Sequence, residues 1–200
     1  MKLYFSPASP YARKVRVSAL ELGLAERIEL LPVTLSPVSP HAQLREHNPL
    51  GKIPALLTDS GEALYDSPVI CEYLDALAGG GRLWPAVGPA RWRALRRQAL
   101  ADGITDAAVL VRYEQTVRPE ALRWNEWIEG QRLKIRTALA VLENESLEGP
   151  FDIGAISIAC ALGYLDLRFP EERWREHQPH LANWFAALAQ RPSLASTAPA

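Results

Sequence analysis

Apolar positions change their period partway along this chain of 200 residues. Over residues 1–78, short apolar runs alternate with helical patterns. "KLYF" and "RIELLPV" predict strands, and residues 10–23 carry Val15, Ala19 and Leu22 at helical spacing before a stop at Gly23. "SPHAQLREHNP" predicts a short helix or turn, closed where Asn48 meets Pro49. "PALLTD" and "EALY" flank Ser60-Gly61, the mark of a hairpin. From Asp66 to Ala78 the positions Val69, Ile70, Tyr73, Leu74 and Leu77 predict one more helix. The predicted order is β-α-β-α-β-β-α.

After Ala78 the pattern is helical only. "AGGGRLWPAVGP" supplies a linker over residues 79–88. Its glycines end a helix and lack the lysine and hydroxyl of a phosphate loop. Two long amphipathic patterns follow, "ARWRALRRQALADGITDAAVLVRYEQ" and "PEALRWNEWIEGQRLKIRTALAVLENES", the second opening on a proline near its first turn. "DIGAISIACALGYLDLRF" is apolar on nearly every face, which predicts a buried central helix. "HLANWFAALAQRP" closes the structured part and "STAPA" reads as a frayed tail. The organisation is a small α/β domain over 1–78 and an all-helical domain over 89–200.

Composition narrows the classes. The chain is 48% hydrophobic and 22% charged with a formal net charge of −1. That near-neutral balance gives no electrostatic case for nucleic acid or an anionic membrane as main partner. Met1 runs straight into a strand pattern, without the leader of a secreted protein, so a cytoplasmic location is expected. Cys71 and Cys160 sit apart in helical patterns and read as buried, reduced thiols. His41, His47, His177 and His180 form no ligand constellation, so no metal is expected. Arg91, Arg93, Arg96 and Arg97 read as a solvated or subunit-facing stripe.

Three stretches carry candidate chemistry. In "SPYA", Ser9-Pro10-Tyr11-Ala12 has the form of a dithiol C-P-Y-C motif with both sulfurs gone. Ser9 stands where a strand meets a helix, facing free N–H groups and the positive end of a helix dipole. A thiol of pKa near ~8.5 is lowered by two units for about 2.7 kcal/mol of anion stabilisation. Ser9 is a poor nucleophile, since no histidine base lies near it in sequence; a plain helix cap is the competing reading. In "NPLGKIPAL", Pro54 after Ile53 enters a strand and is a candidate cis bond, with a plain turn equally allowed; Gly51 and Lys52 precede it. In "YDSPVICEYL", Asp66-Ser67-Pro68 marks a helix start able to hold a carboxylate, with Asp66 placed for an ammonium; simple capping is the alternative.

The S-P-x-S-P-Y-x-x-K/R-V-R opening, the N-P-x-G-K-I-P-x-L loop and the D/E-S-x-x-I-x-E-Y-L helix start occur in the order and spacing of one family. On these motifs the whole chain resembles the cytosolic glutathione transferases. It is most similar to a bacterial, serine-type group, through "ADGITDAAVLVRYEQTVRP" and "IACALGYLDLR". The resemblance implies a thioredoxin-like N-terminal domain binding glutathione and an all-α C-terminal bundle lining the electrophile pocket. It implies that Ser9 donates to the glutathione sulfur, that Ile53 pairs its backbone before a cis Pro54, and that Asp66 and Ser67 bind the γ-glutamyl end. Lys52 would sit near glutathione carboxylates, with His41 or Gln43 toward the glycyl end. Asp106, Leu110 and Tyr113 are candidates for the second-substrate pocket, core packing or bare surface being the other reading.

The implied activity is that of a detoxifying glutathione S-transferase, with glutathione as co-substrate and no cofactor. The implied assembly is a homodimer contacting through the helices at 66–78 and 90–100. A glutathione-binding or protein-interaction module with little catalysis is the alternative, as is a reductase of glutathione mixed disulfides. Two departures stand out. Asp66 replaces a frequent glutamate and is one methylene shorter. Asp152 caps the central helix with Ala155 where the acid of a capping box would be. Tyr4, inside the first strand pattern, is the rival sulfur donor and fits its motif less well than Ser9.

Overall fold

The computed structural model describes residues 1–199. Four short strands, β1 (Lys2–Phe5), β2 (Glu29–Pro32), β3 (Ala55–Leu57) and β4 (Ala63–Leu64), form one sheet in the order β2-β1-β3-β4. β1 runs parallel to β2 and antiparallel to β3, and β4 is antiparallel to β3. Three helices belong to this half: α1 (Pro10–Glu21), α2 (Ala42–His47) and α3 (Ser67–Leu77). The period of two along β1 divides its side chains between the sheet faces. Leu3 and Phe5 join the main core, whereas Tyr4 packs with Leu44 and Ala55 in a second, small cluster.

The second half holds α4 (Gly88–Thr116), α5 (Asn125–Glu143), α6 (Ile153–Arg168), α7 (Trp174–His177), α8 (Pro179–Ala189) and α9 (Pro192–Ala195). No strand follows β4 among the described residues, and none of these helices alone is long and apolar enough to cross a membrane. Every residue of α6 from Ile153 to Leu165 is buried, because α4, α1 and α8 all pack on it. Its start is a single cap: Asp152 Oδ1 accepts the Ala155 N–H at 3.0 Å. Glycine at 154 lets that first turn lie against α4; a Cβ there would come 2.9 Å from the Ala94 carbonyl oxygen.

Four expectations from the pattern need correction or sharpening. Pro119 does not open the second long helix; Pro119 caps a short 3-10 turn over Glu120–Leu122, and α5 starts at Asn125. Glu114 explains the break, since its carboxylate accepts from Arg118 Nε at 2.8 Å and from the Trp124 N–H at 3.0 Å, folding the loop back onto the end of α4. The glycine-rich stretch is tied down: the buried Asp75 carboxylate accepts from the N–H groups of Gly81, Arg82 and Leu83, and Leu83 and Trp84 enter the core. Arg97 leaves the arginine stripe. It is buried, with Nε 2.8 Å from Glu145 and Nη2 2.5 Å from the Ser146 carbonyl.

The tail is the fourth case. Thr197 is buried, and its hydroxyl accepts from Arg13 Nε at 3.4 Å while donating to the Ser193 carbonyl at 2.7 Å. Ala200 lies outside the described residues. Helix α1 thus clamps α9 from both ends, through Arg13 at one and Glu21 at the other. Burial alone would raise the Glu21 carboxyl, but hydrogen bonds from Arg191 (2.7 Å) and Ser193 (2.5 Å) hold it below the usual carboxylate range. A lowered folded-state pKa gives stability that is present above the unfolded value of ~4.3 and is lost as pH falls through the folded value. Glu21→Gln should therefore lower the melting temperature at pH 7 by roughly 2–4 °C, the equivalent of about 1 kcal/mol. Melts followed by circular dichroism at stepped pH should show the gap closing between pH ~5 and pH ~2. A gap constant across that range would show that the carboxylate charge is not what holds α9.

Candidate functional site

The sheet register brings the three candidate stretches to one end of the sheet. Ser9 follows the C-terminal end of β1. Ile53 and Pro54 precede β3, which pairs antiparallel with β1 through Tyr4 and Ala55, so they lie at that same end. β4 runs antiparallel to β3, so Tyr65 and Asp66, after its last residue, arrive there as well.

Ser9 is the N-cap of α1, in extended backbone, with its Oγ accepting the Ala12 N–H at 3.2 Å. Accepting uses a lone pair and leaves the hydroxyl proton available to donate. Pro10 has no N–H, and the Arg13 N–H goes to the Ser9 carbonyl at 2.9 Å. The Tyr11 N–H has no backbone partner among the described residues, so a donor stands beside the serine hydroxyl. Ser9 is therefore a cap and, in the same geometry, a free donor. Tyr4 lies on the sheet face with Leu44 and Ala55, its ring 5.6 Å from that of His47.

The second stretch is shaped by Asn48, whose place before Pro49 in the sequence marks only a helix stop. Asn48 is buried; its Nδ2 donates to the Lys52 carbonyl at 2.8 Å and its Oδ1 accepts the Leu50 N–H at 3.1 Å. Gly51 takes φ +62°, which the turn requires. The Ile53–Pro54 peptide is cis. The Ile53 backbone lies beyond the last ladder pair and has no backbone partner among the described residues. Lys52 is exposed. His41 is committed to capping α2, its Nδ1 accepting the Leu44 N–H at 3.2 Å, while Gln43 is exposed.

At the third stretch Asp66 holds the N-cap position of α3 but makes no side-chain cap, and its carboxylate is open to solvent. The competing reading, a plain cap, is not what Asp66 does. Ser67 is buried in the first turn and Pro68 follows it. The Tyr65–Asp66 peptide is also cis.

Helix α4 forms the facing wall. Asp106, Leu110 and Tyr113 share one stripe of α4, and all three are exposed, which excludes core packing. The Tyr11 hydroxyl donates to the Asp106 carboxylate, so the stripe meets the start of α1. Burial and then that hydrogen bond push the Tyr11 hydroxyl well above its ordinary value, so it keeps its proton at any working pH. One turn earlier, the fully buried Lys14 ammonium lies 2.7 and 2.8 Å from the two Asp102 oxygens. Burial pushes the Asp102 carboxyl up against the pull of Lys14, and the nearby Asp106 and Asp66 charges add to the rise. The starts of α1 and α3 and the middle of α4 therefore share one electrostatic neighbourhood. Burial pushes the Cys71 thiol up to about 12 and the Cys160 thiol up to about 11, so neither supplies a thiolate near neutral pH.

The family model described as "Glutathione S-transferase, N-terminal domain" matches residues 8–77, and "Glutathione S-transferase, C-terminal domain" matches residues 125–187. The uncharacterized GST-like protein YibF of Escherichia coli (strain K12) is 36% identical over 100% of this chain and 98% of its own length. A glutathione transferase family member from Pseudomonas fluorescens Pf-5, solved with bound glutathione, is 54% identical with a TM-score of 0.97, covering 100% of this chain and 98% of that one. Another structure from that organism, solved with bound S-(propanoic acid)-glutathione, is 52% identical with a TM-score of 0.93, covering 100% and 99%.

Proposed function

The chain belongs to the glutathione S-transferase family, and from that we propose that it binds glutathione at the shared end of the sheet and adds its sulfur to small electrophiles in the cleft under α4. One observation carries the reading. The Ser9 hydroxyl caps α1 as an acceptor and keeps its proton to donate, at the helix end where a sulfur anion is best stabilised.

The geometry supports the remaining roles in this reading. The unpaired backbone of Ile53, ahead of cis Pro54, takes the cysteinyl peptide as an added strand. The open Asp66 carboxylate takes the γ-glutamyl ammonium, and the first turn of α3 with Ser67 takes its carboxylate. Exposed Lys52 offers charge to a further glutathione carboxylate. The bound thiol loses its proton to solvent, and the thiolate attacks the electrophile from a fixed position. The chain contributes placement and a donor, not a nucleophile of its own. Glutathione in a 54% identical relative, and a glutathione thioether in a 52% identical one, support both halves of the reading.

Calorimetric titration of glutathione tests it. Wild type should bind, and Asp66→Asn should bind about tenfold more weakly, the loss expected for one charge-assisted hydrogen bond. Asp66→Glu should retain binding. Wild type that takes up no glutathione would overturn the reading.

A further inference from the structure

The first turn of α1 carries both donors that stand at the proposed sulfur position. A helix start is secured by what caps it, because its first N–H groups have no intrahelical partner. Here the backbone bonds stay within the segment. The Ser9 N–H goes to the Ser6 carbonyl at 3.0 Å, the Ala12 N–H to Ser9 Oγ at 3.2 Å and the Arg13 N–H to the Ser9 carbonyl at 2.9 Å. They shape the turn without fixing it against the rest of the molecule. Among the described residues, one polar bond leads from residues 9–12 to another element: the Tyr11 hydroxyl donates to the Asp106 carboxylate on α4.

That bond is the outer of two matched rungs. Tyr11 and Lys14 stand three residues apart on α1 and share a face, as do Asp102 and Asp106, four apart on α4. Tyr11 meets Asp106 and Lys14 meets Asp102, so the pairing runs in opposite directions along the two helices. The inner rung, with its buried ammonium, fixes the second turn of α1. The outer rung fixes the first turn, two residues from Ser9. Asp106 is exposed and has no other hydrogen-bond partner among the described residues. Neither the Tyr11 N–H nor the Ser9 hydroxyl proton is given to a partner among the described residues. A sulfur anion gains from both only while the turn holds them at one angle, and donors that act as a unit are lost as a unit.

We infer that Asp106 is a positioning residue: through the Tyr11 hydroxyl it holds the first turn of α1 so that the Ser9 hydroxyl and the Tyr11 N–H converge on the glutathione sulfur. The inference rests on the reading of this site as one that holds glutathione as a thiolate. It assigns Asp106 to the nucleophile and not to the electrophile. The residue acts before any electrophile is bound, when the thiol gives its proton to solvent. The charge of Asp106 works against that step, since one anion disfavours another nearby. Positioning and charge therefore predict opposite signs when Asp106 is replaced. The other ionisable groups in this neighbourhood are Asp102, answered by Lys14, Tyr164 on α6, and Asp66 at the start of α3, and the variants below leave all of them in place.

Ultraviolet absorption of the bound thiolate, followed against pH with glutathione alone, is the test, once calorimetry has shown each protein to be saturated. Wild type should show a thiol pKa well below ~8.5. Tyr11→Phe keeps the ring and every charge but loses the bond, and its thiol pKa should rise by about one unit, a tenfold loss of thiolate. Asp106→Ala should rise by a similar amount, although it removes a neighbouring negative charge. Asp106→Asn, whose carbonyl oxygen still accepts from Tyr11, should stay at or below the wild-type value. A fall in both Asp106 variants with Tyr11→Phe unmoved would show charge alone and overturn the inference. A rise in Asp106→Asn equal to that in Asp106→Ala would overturn it as well. So would an unmoved thiol pKa in all three variants with a raised KM for electrophiles, which returns Asp106 to the electrophile pocket. Each of these results leaves glutathione binding standing. Failure of plain glutathione to bind wild type removes the reading of the site, and the inference with it.

Discussion

Ser9→Ala should lower kcat/KM for conjugation at pH 7 by about 10²-fold, the scale on which loss of one pre-placed donor to a reacting anion is felt. The pH profile carries the diagnosis. In wild type the rate should rise through an apparent thiol pKa well below ~8.5; in the variant the rise should move to about that free-thiol value. Much of the lost rate should therefore return at pH ~9. Ultraviolet absorption of the bound thiolate should shift in parallel. Ser9 also caps α1, so alanine costs about 1 kcal/mol of stability for a separate reason. Ser9→Asp separates the two effects. Aspartate caps as well as serine and suits the helix dipole, so the melting temperature should hold, yet its charge faces the thiolate and activity should fall at least as far. An unchanged profile in Ser9→Ala would end the role given to this hydroxyl.

What was legible in the sequence is what the chain decides locally. Ser9-Pro10, Gly51 before Ile53-Pro54, and Asp66-Ser67-Pro68 announce a helix start, a turn and another helix start through residues within a few positions of one another. The strands, the hairpin and the buried α6 follow equally from period and punctuation. What escaped is what distant residues decide. Arg97 and Arg93 look alike in sequence, yet Glu145 and Ser146, half a domain away, draw Arg97 inside. Pro119 has every mark of a helix start until Glu114 takes the Trp124 N–H. "STAPA" looks frayed until Arg13, 184 residues earlier, is found against Thr197. Asn48 was in view, but only as a stop, because its two loop-shaping bonds need the turn to exist first. The stripe of Asp106, Leu110 and Tyr113 could be placed by spacing, while its anchor on Tyr11 could not.

The same lesson applies to Lys14 and Asp102, which stand in two separate motifs whose pairing neither motif shows. Lys14 is 1% exposed and, among the described residues, its ammonium has one carboxylate to answer it, 88 residues away on α4. Asp102→Ala leaves that charge buried without a partner, which costs about 3–5 kcal/mol. For a chain of this size the melting temperature should fall by roughly 10 °C or more. Replacing both, as Lys14→Met with Asp102→Leu, removes the charge together with its need for a partner and should restore most of the stability. Thermal unfolding of the three proteins checks this; a double variant no more stable than Asp102→Ala would mean that packing, not charge, sets the cost. The restored double variant then isolates function. The pair fastens the turn of α1 just after Ser9 and Tyr11 to the helix that faces them. A hydrophobic contact can supply the same stability with less directional control, because dispersion has no preferred angle and a two-point ion pair does. Recovered melting with conjugation still depressed would therefore assign the pair to aligning the cleft, and full recovery of both would assign it to holding the two helices together and nothing more.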